Sequence, residues 1–128
     1  MRLSGNPAVK VRCVTNNPLV KERYPASEFQ GVGIGELFLI VRGLMAAGHA
    51  LLTHPLYGNI RPDVGPYKSV LLEQAVMPVD HSGLQQIAAA ISYTQQLLKL
   101  HAPPRWDAAA LRDFQEVDCS ILGRVLES

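Results

Sequence analysis

The feature that most constrains the fold is a long apolar stretch, residues 34–52, that a few polar side chains interrupt. Those polar side chains are Glu36, Arg42 and His49. Three of them in one lipid-spanning segment would be costly, so a membrane helix is disfavoured. Apolar residues recur at helical spacing up to Gly48, a residue type that commonly ends helices. The stretch therefore predicts a buried helix over residues 35–47 and a short interior strand over residues 49–53.

The chain before this stretch has the pattern of a strand followed by a short helix. Residues 8–14 alternate apolar and basic side chains, which is typical of a half-buried strand. Asn17 then precedes Pro18, and this pair suits a helix N-cap and a first helical residue whose missing N–H does no harm. We expect that helix to extend through Arg23 and to end before Pro25.

Four further segments complete the predicted secondary structure. They are a weak strand over residues 28–33, a strand over 67–73, a helix over 83–101 and a last helix after Asp107. Ser82, with Gln85 three residues later, forms a capping-box pattern that would begin the first of these two helices. Asp107 suits the N-cap of the second.

The order of these elements predicts a single α/β domain over residues 1–128. Its sheet would be small, at least partly parallel, of about three or four strands, covered by helices and followed by two C-terminal helices. The link between the first strand and the strand at His49 is long enough for a right-handed crossover, so we expect these two strands to run parallel, in a strand order that the sequence does not give.

Composition excludes several classes of partner. The 12 basic and 11 acidic side chains give a formal charge of +1, and the cations are scattered. Nucleic-acid binders concentrate cations on one face, so we expect no nucleic-acid partner. The N-terminus lacks the apolar core of a signal peptide, and we expect a cytoplasmic protein with no membrane partner.

The cysteine and glycine patterns favour neither a metal nor a cofactor. Cys13 and Cys119 lie in apolar patterns, which favours two buried thiols over a disulfide, with a reactive Cys119 as the alternative. Two cysteines cannot make a zinc site without several suitably spaced histidines. The glycines of residues 31–35 lack the spacing of a dinucleotide-binding loop. We therefore expect no metal and no cofactor.

The first candidate site is the polar segment Thr15, Asn16 and Asn17, directly after the first predicted strand. In open α/β sheets, ligands gather beyond the carboxyl ends of strands. The free N–H groups at the start of the next helix would offer a seat for a small anion. The alternative is that the asparagines only make a turn and a cap.

The second candidate site is the proline-rich loop of residues 53–66 together with its exit. The polar side chains that it brings together are His54, Tyr57, Arg61, Tyr67, Lys68 and Ser69. His54 could act as a general acid or base near neutral pH. Arg61 and Lys68 could hold a carboxylate or a phosphate. The alternative is that His54 bonds a backbone carbonyl and the cations are solvated.

Two motifs in these segments carry a resemblance to a known family. They are V-T-N-N-P-L-V at residues 14–20 and V-R-G-L-M-A-A-G-H-A-L-L-T-H-P-L at residues 41–56, extended by Gly58, Arg61–Pro62 and Pro66–Ser69. Over residues 11–72 the chain resembles the GrdX family, small proteins encoded beside the selenium-dependent glycine, sarcosine and betaine reductases of anaerobic bacteria. The resemblance implies a context in reductive amino-acid metabolism, without a reaction or catalytic residues. It also supports treating both polar segments as one site.

These observations favour an accessory, non-catalytic protein that binds a small anionic metabolite or a reductase component. The alternative is a small enzyme that acts on a carboxylate or phosphate substrate, with His54 as general acid or base. We also expect a homodimer, the commonest soluble oligomer, and a purely structural homodimer is the third hypothesis.

Overall fold

The structure is a computed structural model that describes residues 2–3, 6–58, 60–74 and 79–127. The described residues form five strands: β1 (Arg2–Leu3), β2 (Asn6–Thr15), β3 (Glu28–Phe29), β4 (His49–Leu51) and β5 (Ser69–Gln74). They also form four helices: α1 (Pro18–Arg23), α2 (Ile34–Ala46), α3 (His81–Leu100) and α4 (Ala108–Leu126). The predicted α/β architecture with two C-terminal helices is confirmed.

The strands form a mixed sheet in the order β1-β2-β5-β4, with β3 beside β2. β2 and β5 are antiparallel, and Thr15 at the end of β2 pairs with Ser69 at the start of β5. β4 is antiparallel to β5, whereas β2 and β3 are parallel, with Val14 opposite Glu28. The prediction of a partly parallel sheet is therefore confirmed.

The two strands that the crossover predicted to be parallel are not neighbours in the sheet. β2 and β4 run in the same direction, but β5 lies between them and is antiparallel to both. The first four residues of β5 are buried, which suits a strand enclosed between two neighbours and covered on both faces. The prediction that these two strands are parallel is therefore confirmed, although β5, which comes later in the sequence, fills the position between them.

Helices cover both faces of the sheet, and alternate strand residues point to different cores. Val14, Val70 and Leu72 belong to a core with apolar residues of α2 and α3. Cys13 and Leu71 belong to a second core with apolar residues of α1 and α4. This two-residue alternation is what a strand with both faces buried requires. α4 therefore lies on the same side of the sheet as α1, next to the end of β2.

Both cysteines are buried and free, as predicted. Burial raises the pKa of Cys13 to about 12, because the thiolate would lose its solvation. It also raises the pKa of Cys119, although Arg23 opposes that shift. No helix in the described part of the chain has the length and apolar character needed to cross a membrane.

Two of the predicted helix starts are confirmed and one is corrected. The Asn17 side chain accepts from the backbone N–H of Leu19, and the Asp107 side chain accepts from that of Ala110. The predicted cap Ser82 is wrong, because α3 begins at His81.

The actual cap of α3 is Asp80, which accepts from the backbone N–H of Gly83 at 2.9 Å. Its second oxygen accepts from the N–H of Leu51 at 3.0 Å. One carboxylate therefore caps a helix and also satisfies a donor of strand β4. This second contact comes from tertiary structure, which a local capping motif does not encode.

Candidate functional site

The two polar segments meet because β2 and β5 are antiparallel neighbours. The end of β2 and the start of β5 lie side by side, so residues 15–17 and 66–69 face each other. The backbone N–H of Asn16 donates to the carbonyl of Lys68 at 3.3 Å. The expectation that both segments form one region is thus met by an antiparallel pair, although the sequence argument assumed the carboxyl ends of parallel strands.

Asn16 joins three segments through its side-chain amide. Its Nδ2 donates to the carbonyls of Val32 and Pro66, both at 2.9 Å. Its Oδ1 accepts from the backbone N–H of Lys68 at 2.8 Å. All of these partners are protein backbone, so Asn16 positions the segment that carries Lys68, directly before β5.

Asn17 connects the end of β2 to α4. Its Oδ1 caps α1, while its Nδ2 donates to the carbonyl of Gln115 and to Asp118 Oδ2, each at 3.0 Å. The side chain is fully buried. The interpretation of this asparagine as a helix cap is confirmed. Its side chain also bonds Gln115 and Asp118, which lie 98 and 101 positions later in the sequence.

Asp118 is the residue of this region that the sequence analysis missed. Its Oδ2 also accepts from Ser69 Oγ at 2.7 Å, and Thr15 Oγ1 lies 2.8 Å from the same Ser69 hydroxyl. Because the Ser69 proton goes to Asp118, the Ser69 oxygen can only accept from Thr15, whose single hydroxyl proton also has the Lys68 carbonyl within 3.4 Å. The carboxylate is 7% exposed, and burial raises its pKa while the bonds from Asn17 and Ser69 oppose that shift.

A signal for Asp118 was available in the helical spacing of α4. Asp118 lies four residues after Phe114 and four before Leu122, so it occupies the same helix face as these apolar residues. A charged residue on an apolar face is unusual unless it has partners. Asp107 and Asp113, the other aspartates of this segment, are exposed, so the position of Asp118 on the apolar face of the helix is what distinguishes it.

Lys68 is a buried cation, with 6% of the residue exposed. Its Nζ donates to the carbonyl of Tyr57 at 3.0 Å and lies 5.2 Å from the centre of the Tyr57 ring. Burial lowers the pKa of Lys68, and the nearby negative charge of Asp118 opposes this effect. Burial likewise raises the pKa of the Tyr57 phenol, and the Asp118 charge adds to that shift.

Lys68 and Asp118 both line a cavity between the loop of residues 57–67 and α4. Its lining consists of Tyr57, Gly58, Ile60, Gly65, Tyr67, Lys68, Phe114, Val117, Asp118 and Ile121. Its volume of about 20 Å³ is enough for one water-sized molecule. Gly58 and Val117 are exposed, so the cavity reaches the surface there. A larger ligand would have to displace part of the loop.

Two features of the loop hold it against α4. A Cβ at Gly65 would collide with Ile60 Cγ2 and touch Phe114, so only glycine allows this close approach. Trp106 packs against Phe114, with ring centres 5.2 Å apart, and its Nε1 donates to the Val64 carbonyl at 2.8 Å. The loop is therefore fixed by contacts outside the cavity as well as within it.

The remaining predicted residues lie at different depths. Tyr67 lines the cavity, and its hydroxyl accepts from Gln115 Nε2 at 3.0 Å. His54 is exposed, outside this lining, and its Nδ1 accepts from the N–H of Leu56 at 3.0 Å. Arg61 is exposed and forms an ion pair with Asp63 at 2.9 Å.

Arg61 also lines a separate groove, together with Leu56, Gly58, Ile60, Pro62 and Tyr93. The structure thus groups Lys68 and Tyr67 with the hydrogen-bonded segments 15–17 and 69, and it separates His54 and Arg61 from that group. Within the described residues, no group of three or more His, Cys, Asp or Glu side chains is arranged to hold a metal ion.

Comparison with known proteins identifies the family of this chain. No curated protein and no solved structure matches the chain. A family model described as GrdX-like protein matches residues 12–127. This match extends well past the segment that carried the sequence resemblance and includes α3 and α4, and with them Asp118. The chain therefore belongs to the GrdX-like family.

Proposed function

We propose that this GrdX-like protein is an accessory protein that binds a small anionic metabolite in the cavity between loop 57–67 and α4. The metabolic setting is the one that the family resemblance implies, reductive amino-acid metabolism, and a reductase component is the alternative partner. The observation that carries the proposal is Lys68, a buried ammonium group in the lining of a cavity.

A buried lysine is expensive unless its charge is compensated. An ammonium group has three N–H donors, and in the described part of the chain one of them bonds the Tyr57 carbonyl. That partner is neutral, so among the described residues the charge is offset by the Asp118 carboxylate, which forms no ion pair with it, and by the Tyr57 ring. A carboxylate or phosphate beside Nζ would supply a charged hydrogen-bond acceptor, which is the stronger kind.

The hydroxyl group of Tyr57 supports a polar ligand in the same place. Tyr57 lines the cavity, and its hydroxyl oxygen is buried without a hydrogen-bond partner among the described residues. Buried hydroxyl groups almost always have such a partner. A ligand oxygen within reach of both Tyr57 and Lys68 would satisfy two otherwise unfavourable groups.

The proposal is tested by thermal-shift measurements with small carboxylates, hydroxy acids, amino acids and phosphates. A ligand at 100 times its Kd should stabilise the protein by about 2.7 kcal/mol, or about 10 °C in Tm. Lys68→Met keeps most of the side-chain length without the charge, and it should abolish the shift. His54→Ala is the matched control, because His54 lies outside the cavity lining, and it should retain the shift.

The opposite pattern would contradict the proposal. If a ligand stabilises Lys68→Met as well as the unchanged protein but fails with His54→Ala, the site lies at His54. The enzyme hypothesis, with His54 as general acid or base, then becomes the better account. If no compound shifts the Tm of any folded variant, a small-molecule role is refuted and protein partners remain to be tested.

A further inference from the structure

We infer that the ligand of this cavity is a small zwitterion, with its carboxylate at Lys68 and its ammonium group at Asp118. The inference rests on the proposed function, because it assumes that the cavity takes a carboxylate at Lys68. It adds the second charge of the ligand, and with it a chemical class: small amino acids and related inner salts.

The first support is the charge balance of the lining. Lys68 and Asp118 carry opposite charges, line the same cavity and are each more than nine-tenths buried. A simple anion would gain the attraction of Lys68 but would also meet the negative charge of Asp118 in the same cavity. A zwitterion has no net charge and offers each of these residues a partner of opposite sign, so it avoids that repulsion.

The second support is that the two residues influence each other without direct contact. Each charge opposes the desolvation shift of the other's pKa, so they lie close enough to interact. The ion pairs formed among the described residues nevertheless do not include this pair. The Lys68 ammonium group bonds the Tyr57 carbonyl instead. A ligand with two opposite charges could bridge this separation.

The third support is how firmly Asp118 is held. Both hydrogen bonds to its Oδ2, from Asn17 and Ser69, come from buried side chains on the sheet side of the cavity. A carboxylate has two oxygens and about four acceptor positions, so these bonds leave acceptor capacity for a ligand donor. The Asp118 position is thus fixed by groups that the ligand would not need to displace.

The size and lining of the cavity restrict the zwitterion to a small one. The volume holds about one water-sized molecule before the loop moves, so every added atom requires further displacement. Apolar groups of Ile60, Phe114 and Ile121 complete the lining and would contact the carbon atoms of a ligand. We therefore expect preference for ligands of two or three carbons.

The test uses isothermal titration calorimetry with pairs of probes that differ in one group. Glycine and glycolate, or alanine and lactate, have nearly the same shape, but the first of each pair carries an ammonium group where the second carries a hydroxyl group. We expect the amino acid to bind at least about tenfold tighter than its hydroxy-acid partner. Methylamine, which lacks the carboxylate, should not bind measurably.

Two variants assign the preference to the two residues. Asp118→Asn keeps the shape of the side chain and removes its charge, so the preference for the amino acid should fall to within about threefold. Lys68→Met should weaken both members of a pair by about tenfold or more. Circular dichroism melts confirm that each variant is folded. Where a variant does not fold, the probe series with the unchanged protein still decides whether the cavity prefers the amino acid to its hydroxy-acid partner.

The outcomes separate this inference from the proposed function. If both members of each pair bind equally well and require Lys68, or if the hydroxy acid binds tighter, the zwitterion is refuted and the anion site stands. If no amino acid binds while other carboxylates or phosphates bind at Lys68, the result is the same. If neither these probes nor any anion binds, both proposals fail.

Discussion

Replacing Asn17 with alanine is expected to lower the free energy of unfolding by about 2.5–5 kcal/mol. Asn17 is a fully buried side chain that holds the end of β2, the start of α1 and the middle of α4 together. The variant removes all of these bonds and leaves their buried partners without replacement. It therefore measures how strongly the polar cluster of Thr15, Asn17, Ser69 and Asp118 stabilises the fold.

The magnitude follows from the separate contacts. Loss of the cap to Leu19 costs about 1 kcal/mol. Loss of the bond to the Asp118 carboxylate costs about 1.5–3 kcal/mol, because the acceptor is charged and buried. The carbonyl of Gln115 loses one donor, which adds up to about 1 kcal/mol. Together these contributions give the expected range.

Urea-induced unfolding, followed by circular dichroism, measures the change, and Asp107→Ala is the matched control. Asp107 also caps a helix through one bond, to Ala110, but it is exposed and has no bond to the cluster. The control should cost about 1 kcal/mol. The reasoning is refuted if Asn17→Ala costs no more than Asp107→Ala, since the contacts to α4 would then contribute nothing.

Three further variants test other parts of the account. Burial raises the pKa of Asp118, so protonation of this carboxyl group stabilises the fold. The free energy of unfolding of the unchanged protein, relative to that of Asp118→Asn, should therefore rise as the pH falls from 7 through that raised pKa. Urea titrations at several pH values measure this difference, and a constant difference would contradict the prediction. Gly65→Ala should lose about 1–3 kcal/mol, because its methyl group would collide with Ile60, and an unchanged Tm would disprove the close approach. Trp106→Phe should lose about 1 kcal/mol with the bond to Val64, and no loss would mean that this bond does not hold the loop.

Local patterns predicted the elements that depend on neighbouring residues. The alternation of residues 8–14 and the Asn17–Pro18 pair correctly indicated β2 and α1, because side-chain period and helix capping are local properties. The apolar stretch gave α2 and β4 to within about two residues. These features require no knowledge of which segments meet in space.

Strand pairing could not be obtained in the same way. The place of β5 between β2 and β4 depends on the burial of both faces of β5, and a short apolar run is also compatible with other positions. The prediction of the α3 cap failed for a related reason. Asp80 accepts hydrogen bonds from the backbone N–H groups of Gly83 and Leu51, and the second of these bonds exists only in the folded chain.

The candidate site was predicted in part, because both polar segments were recognised while their partner was not. Lys68 and Tyr67 lie in the cavity lining, but the carboxylate that connects Asn17 and Ser69 to that lining is Asp118, far along the chain. His54 and Arg61, chosen for their chemistry and their place in the proline-rich loop, have local partners instead. Chemical type identifies candidates, whereas burial decides which of them share a site.

The central claim is that a small ligand binds beside Lys68, between loop 57–67 and α4. The most direct measurement is a titration of the ¹⁵N-labelled protein, followed by two-dimensional NMR, with the tightest probe from the thermal-shift experiments. We expect the amide shifts to change in residues 57–68 and 114–121 and to stay unchanged with Lys68→Met. Changes confined to the helices α2 and α3 on the other face of the sheet, or changes that persist in the variant, would contradict the claim.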